Sequence, residues 1–315
     1  MIHLRLIVPS ELAGDVFQRL RDSPGVAHVA HLPAVATSPE GEIVLCDVVR
    51  EAANEVIEWL QRLGVHHRGA ITIEALEAVI SDASAQAEIA APGHAADALI
   101  WEELDARARA DSVLTASFLI FMSVAAVIAA VGILLDAPIL VVGAMVVGPE
   151  YGPVSALCIA VARKRPRNAS RAASTLVAGL VTAAVSTFIA TLAFRGTGLA
   201  PGSYDLSDRE LTAFIAHPDG MAAVVAVLAG IVGMLALTEA RSGALIGVLV
   251  SVTTIPAVAN IGLATAYQEW SEVGGAALQL GVNILGLAVA GILTLAVQNR
   301  LTTAGSARLA AETQA

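Results

Sequence analysis

Apolar positions along this chain change their spacing near residue 111. Before it they alternate with polar residues or recur every three to four positions. After it they merge into long runs. His3–Val8 (HLRLIV) alternates as a short strand. Pro9-Ser10 then opens a helix with Ser10 as N-cap, and Leu12, Val16, Phe17 and Leu20 give it one apolar face. Ser23-Pro24-Gly25 stops it. Val26–Leu32 and Glu42–Val49 read as two strands joined around Thr37-Ser38-Pro39-Glu40-Gly41. Glu51–Leu63 reads as a second helix, with Ala52, Val56, Ile57, Leu60 and Leu63 on one face and Gly64 as its stop. Gly69–Glu74 (GAITIE) is a last strand. The order βαββαβ over residues 1–76 predicts an α+β domain of the ferredoxin-like arrangement, which includes the ligand-sensing ACT modules.

Residues 77–112 are expected to hold a linker and a juxtamembrane helix. Ile80–Gly93 is small and polar, a linker composition, and Leu99–Asp111 reads as a charged helix. Trp101 serves either as an interface anchor or as a packing residue against the first domain. A membrane span takes roughly 20 apolar residues. Six runs qualify: Val113–Leu135, Ala137–Ala162, Ala172–Phe194, Gly220–Thr238, Ser242–Ala266 and Val273–Gln298. They predict an all-α membrane domain over residues 113–299, followed by a tail, 300–315.

Charge orients these spans. The stretch RKRPRNASR between spans two and three carries Arg163, Lys164, Arg165, Arg167 and Arg171 and no acid, so it belongs on the cytoplasmic side. Arg195–Asp219 then lies outside, with Asp205, Asp208, Glu210 and Asp219 against Arg195 and Arg209. Arg241, Arg300, Arg308 and the first domain fall inside, which puts both termini in the cytoplasm. Composition agrees with a membrane protein: 315 residues, 56% hydrophobic, 15% charged, and a mean hydropathy of +0.73, against about 25% charged in soluble domains. The net charge of −10 comes with no basic stripe, which argues against nucleic acid. The N-terminus shows no signal-peptide pattern. Cys46 and Cys158 fall in different predicted domains, and no zinc or cofactor spacing is present. His66-His67 reads as a solvated turn. No Ser/Lys, Asp/Asp or zinc constellation for an intramembrane enzyme occurs in the spans.

One span is interrupted. Gly143–Pro153 reads GAMVVGPEYGP and puts glycines, prolines and the carboxylate of Glu150 inside an apolar run. An ionisable group there costs roughly 2.5–3.5 kcal/mol and marks a pathway or relay. Irregular backbone at that depth is tolerated only inside protein or along a cavity. The second half repeats the pattern. Leu140-Val-Val-Gly143 lines up with Ala244-Leu-Ile-Gly247, and Pro153 with Pro256 when one residue is skipped. Spans run plain, broken, plain in both halves, about 113–194 and 220–298. Three spans per half make the repeats inverted, and paired breaks of this kind point to a transport site at the midplane. The candidate ligands are Gly143, Gly148, Pro149, Glu150, Gly152, Pro153 and Ser155 from the first break. Ser251, Thr253, Thr254, Pro256 and Asn260 come from the second, and Asn283 from the sixth span. The restarted half-helix, from about Val154, offers N–H groups and the first half, to about Val147, offers carbonyls. Glu150 has three roles open to it: a cation ligand, a proton carrier, or a cap for the restarted half-helix.

GAMVVGPEYGPV, the Asp136-Ala137-Pro138 turn, GAITIE and Asn283-Ile284-Leu285-Gly286 together resemble the DUF389 family of prokaryotic membrane proteins, over nearly the whole chain. The family pattern at the break is close to GAM-apolar-apolar-Ser-Pro-x-x-Gly-Pro. Gly148 replaces its serine, and Glu150 stands where the family is apolar. The resemblance implies the architecture and a prokaryotic inner membrane; the family's function is unknown. The chain is thus expected to be a secondary transporter or channel for a small ion or polar solute, in the lipid bilayer as a homo-oligomer. Small residues such as Gly230, Gly233, Gly281 and Gly286 would allow close helix contact. The alternative is a membrane-anchored sensor of a small molecule.

Overall fold

The computed structural model describes residues 1–76, 78–91, 99–203, 211–216, 219–238 and 254–312, with side chains as far as Leu301 and without those of Ala213 and Phe214. The chain divides into two compact units, Met1–Glu103 with Val297–Ala315, and Leu104–Ala296.

The first unit carries β1 (Ile2–Val8), α1 (Ser10–Arg21), β2 (Val26–Thr37), β3 (Glu40–Val48), α2 (Arg50–Arg62), α3 (Val65–Arg68) and β4 (Ala70–Ala75). The strands form one sheet in the order β2-β3-β1-β4, and β1 runs antiparallel to both of its neighbours. Alternation along β1 buries Ile2, Leu4, Leu6 and Val8 completely, and they pack with Val16, Leu20, Ile57 and Leu60 of the two helices. The expected element order is present. Ser10, expected as the cap of α1, is its first helical residue; Pro9 holds the cap position, and no side chain caps this end. Gly64 stops α2 in the left-handed conformation, φ 75°, a backbone region that favours glycine. The expected turn at His66-His67 is one turn of helix, α3, with both imidazoles exposed.

The expected linker contains a helix, α4 (Asp82–Ala90), which Ser81 caps by accepting a hydrogen bond from Ala83 N–H. Its composition gives no apolar face; Ala87 packs on Ala27 and Val49. Trp101 takes the packing role. Its indole N–H donates to Asn299 and its backbone N–H to Asn54.

The second unit is helical. It follows α5 (Trp101–Asp111) with α6 (Ala116–Leu134), α7 (Pro138–Val147), α8 (Tyr151–Ala162), α9 (Pro166–Gly196), the short 3₁₀ turn Ala213–Ala216, α10 (Gly220–Thr238), α11 (Thr254–Tyr267) and α12 (Trp270–Glu312). Four helices, α6, α9, α10 and the Trp270–Leu301 part of α12, are long and apolar enough to cross a membrane. The pair α7 and α8, bent by 53° at its break, makes a fifth if it is one broken span rather than a re-entrant loop. Of the expected fifth run, Ser242–Thr253 lies outside the described residues, as do Arg241, Gly247, Asp205, Asp208 and Glu210. The helices are apolar on their outer faces too. Val177, Val181, Val185 and Ile189 line an exposed stripe on α9, as expected of a helix that faces lipid. Together these helices mark a multi-pass membrane protein. Two ends differ from expectation. α9 begins at Pro166, inside the basic stretch, and α12 continues through the expected tail to Glu312.

Contacts fix the helix directions. Phe118 meets Gly179 and Ser123 accepts from Ser186, so α6 and α9 run parallel. Gly262 meets Ala184 and Thr187 and Arg195 donates to the Ala266 carbonyl, so α11 runs with α9. Gly286 meets Ala226, and Gly291 meets Met234, so α10 and α12 run parallel. α11 and α12 join through two residues as an antiparallel hairpin, in which Asn260 donates to Glu272. α6, α9 and α11 therefore point one way, α10 and α12 the other.

Candidate functional site

The break is dictated by two prolines. Pro149 has no N–H for α7 to accept from, and its ring disfavours a helical conformation for the residue before it. Gly148 accordingly turns extended, with ψ 128°, and α7 ends at Val147. Pro153 sits in the first turn of α8, where its missing N–H leaves no helical bond unmade. The restarted helix begins at Tyr151, earlier than the expected Val154. Glu150 holds its cap position but its side chain makes no capping bond, which removes the cap from the roles considered for it.

Instead Glu150 turns inward and is 4% exposed. Its Oε1 accepts a hydrogen bond from Thr254 Oγ1 at 2.7 Å, and its Oε2 has no partner among the described residues. A buried acceptor left unmade costs about 1–3 kcal/mol. Gly148 leaves the room for it: a Cβ there would stand 2.5 Å from Glu150 Oε2 and 2.6 Å from Ile255. Tyr151 is a second such group, missed by the sequence reading. Its buried hydroxyl has no partner among the described residues and lies against Gly233 of α10, whose missing side chain makes the space.

A cleft of about 410 Å³ opens beside the break. Gly148, Pro149, Tyr151, Gly152 and Ser155 form one wall. Asp111, Thr115 and Phe118, around the start of α6, form another, so the break is reached from the end at which α6 begins. Ser155 donates to the Gly152 carbonyl and keeps its lone pairs for a guest. Gly152 packs on the backbone of Asp111, whose carbonyl oxygen would stand 2.6 Å from a Cβ at 152. Burial raises the Asp111 carboxyl above its usual range, against the pull of Arg107. Nearby, Asp105 of α5 holds Arg163 Nη1 at 2.9 Å and Arg165 Nη1 at 2.5 Å.

Of the other expected ligands, Pro153 and Pro256 are buried in the first turns of α8 and α11. Gly143 is exposed in mid-α7 with nothing within 4 Å of its Cβ position. Asn260 donates to Glu272, and Asn283 accepts from Gln279 on α12. Ser251 and Thr253 lie outside the described residues. Among the described residues no three His, Cys, Asp or Glu side chains gather as a metal site.

The first unit holds a polar cluster that no spacing announced. Asp47, 9% exposed, accepts from His3 Nδ1 and His28 Nδ1, each at 2.7 Å. His28 Nε2 lies 2.8 Å from Ser81 Oγ. A bulge between Ala27 and Ala30 puts His28 at φ 50° and brings it to Asp47.

Residues 145–289 match the family model described as "Domain of unknown function (DUF389)". Comparisons with curated proteins and with solved structures give no match. Residues 145–289, which carry Glu150, Thr254 and the helices around them, are the part of the chain that is similar to the DUF389 family.

Proposed function

We propose that this protein is a secondary transporter or channel for a small ion or polar solute, with its site at paired helix breaks between two inverted repeats. The observation that carries the reading is the buried Glu150 carboxylate at the first break, bonded through one oxygen to Thr254 at the start of α11 and unpartnered at the other. Set 104 residues apart throughout, with no residue skipped, the halves make Glu150 and Thr254 counterparts. A hydrogen bond between counterparts is what two-fold related repeats produce at their axis.

The same separation recurs elsewhere. It divides Ala116 from Gly220 and Pro166 from Trp270, the starts of α6 and α10 and of α9 and α12. Thr115 accepts from Phe118 N–H at the head of α6, and their counterparts Asp219 and Ala222 make the same bond at the head of α10. Gly262 meets Ala184 and Thr187, and its counterpart Cys158 meets their counterparts Ala288 and Gly291. Counterpart helices run in opposite directions, as inversion requires. These equivalences support six spans and a site of the inverted-repeat kind.

Among the described residues, the polar side chains around the cleft are Asp111, Thr115, Tyr151 and Ser155, with no Lys, Arg or His; this favours a cation or proton over an anion. On the positive-inside rule the cleft opens to the cytoplasm of a prokaryotic cell, where both termini lie. The strand order of the first unit favours a ferredoxin-like regulatory domain. The test is flux of protons and alkali cations into liposomes carrying the purified full chain. Glu150→Gln keeps an acceptor for Thr254 but removes the charge. It is expected to abolish flux while leaving the melting temperature in detergent unchanged. Wild-type flux from Glu150→Gln would refute this reading of the site.

A further inference from the structure

The two ends of the site differ in a way that the repeat makes legible. The cleft beside the first break is lined by Asp111, Tyr151, Gly152, Ser155 and Leu237, among others. Moved by the separation of the repeats, these become Ile215, Ile255, Pro256, Ala259 and Ile133. These five counterparts are all buried. Ile255 and Ala259 are 0% exposed, Ile215 1% and Ile133 2%, and Ile133, Ile215, Ile255 and Ala259 belong to one packed cluster. Where one end presents the carboxylate of Asp111, the other inserts the apolar side chain of Ile215.

The short turn that carries Ile215 is tied down at two points. Asp136, at the far end of α6, accepts from Leu211 N–H at 3.2 Å, from Thr212 N–H at 2.9 Å and from Thr212 Oγ1 at 2.8 Å. The Ala216 carbonyl lies against Gly275 of α12, where any side chain would displace it. Asp136 itself sits at φ 47°, a conformation uncommon outside glycine, which turns its carboxylate to meet the segment.

We propose that Leu211–Ala216 is a gate. Ile215 plugs the counterpart of the open cleft, Asp136 latches the plug, and its release exposes the start of α11 from the opposite face while the first break closes. The proposal rests on the inverted-repeat reading above. In a two-state protein a ligand shifts such an equilibrium only as far as it binds the two states differently, so the plug sets which face the site meets at rest.

Thiol accessibility tests this apart from transport. The native cysteines are both buried, so a membrane-impermeant maleimide reads introduced thiols in the full chain. Tyr151→Cys is expected to label from the face at which α6 begins, and its counterpart Ile255→Cys from neither face. Adding Asp136→Ala or, independently, Ile215→Ala is expected to speed labelling of Ile255→Cys at least tenfold, from the opposite face only. Unchanged labelling in both double variants, each monodisperse and melting like the wild type, overturns the gate. So does labelling of Ile255→Cys from the Tyr151 face. Absence of flux with the expected labelling would sink the transport reading and leave the gate standing.

Discussion

Gly148 and Cys46 show how single positions are held by what surrounds them. At Gly148 a side chain would collide with Glu150 and Ile255, so the carboxylate owes its place to a missing methyl group. At Cys46 the reverse holds. The thiol is sealed in the sheet core, 0% exposed, and burial pushes its pKa up to about 12, with Asp47 adding to the rise. A thiolate is the reactive form, so native protein at pH 7.5 is expected to take up no maleimide, and two equivalents after denaturation. Rapid labelling of the native chain would contradict the packing around Cys46. The sign for stability follows. The folded state keeps a proton that the unfolded thiol loses near pH 9, so this contribution is full below pH 9 and declines towards pH 12. Glu150 was legible in the sequence because a carboxylate in an apolar run stands out. Thr254 was one hydroxyl among several, and its bond to Glu150 depends on how two distant segments meet. His28 was illegible because a bulge decides where it points.

At the scale of elements, α5 is held by charge. Asp105, with its side chain 8% exposed, bonds two arginines at the α8–α9 turn, which are 21% and 38% exposed. Removing one partner of a buried pair costs about 3–5 kcal/mol, and exposed pairs are worth about 1 kcal/mol or less. Asp105→Ala is therefore expected to cost about 1–3 kcal/mol. Thermal melting of the full chain, with limited proteolysis around residues 100–112, checks it; an unaltered melt and cleavage pattern would show that the pair does not fasten α5. The apolar faces of α1 and α2 made those helices readable. α4 was not readable, because Ala83, Ala85, Ala87 and Ala90 carry little hydrophobic contrast. The ends of α9 were hidden for another reason. Arginine tolerates the first turns of a membrane helix by extending its guanidinium towards water, so the basic stretch read as loop although it is helix from Pro166.

For the whole molecule, the long apolar runs were legible because the bilayer sets their length, whereas the packing between them was not. Lys164 and Leu199 lie beyond the two ends of α9 and are exposed. Cysteines placed at these two positions are expected to label from opposite faces of the membrane; labelling of both from one face would exclude α9 as a span. The register of the packed helices also restrains how such a chain can vary. One residue inserted in a helix turns every later position by about 100°. An insertion early in α9 would carry Thr187 away from Gly262, and one in α12 would carry Gly291 away from Cys158. Insertions and deletions are therefore tolerated in the connections but penalised inside these helices.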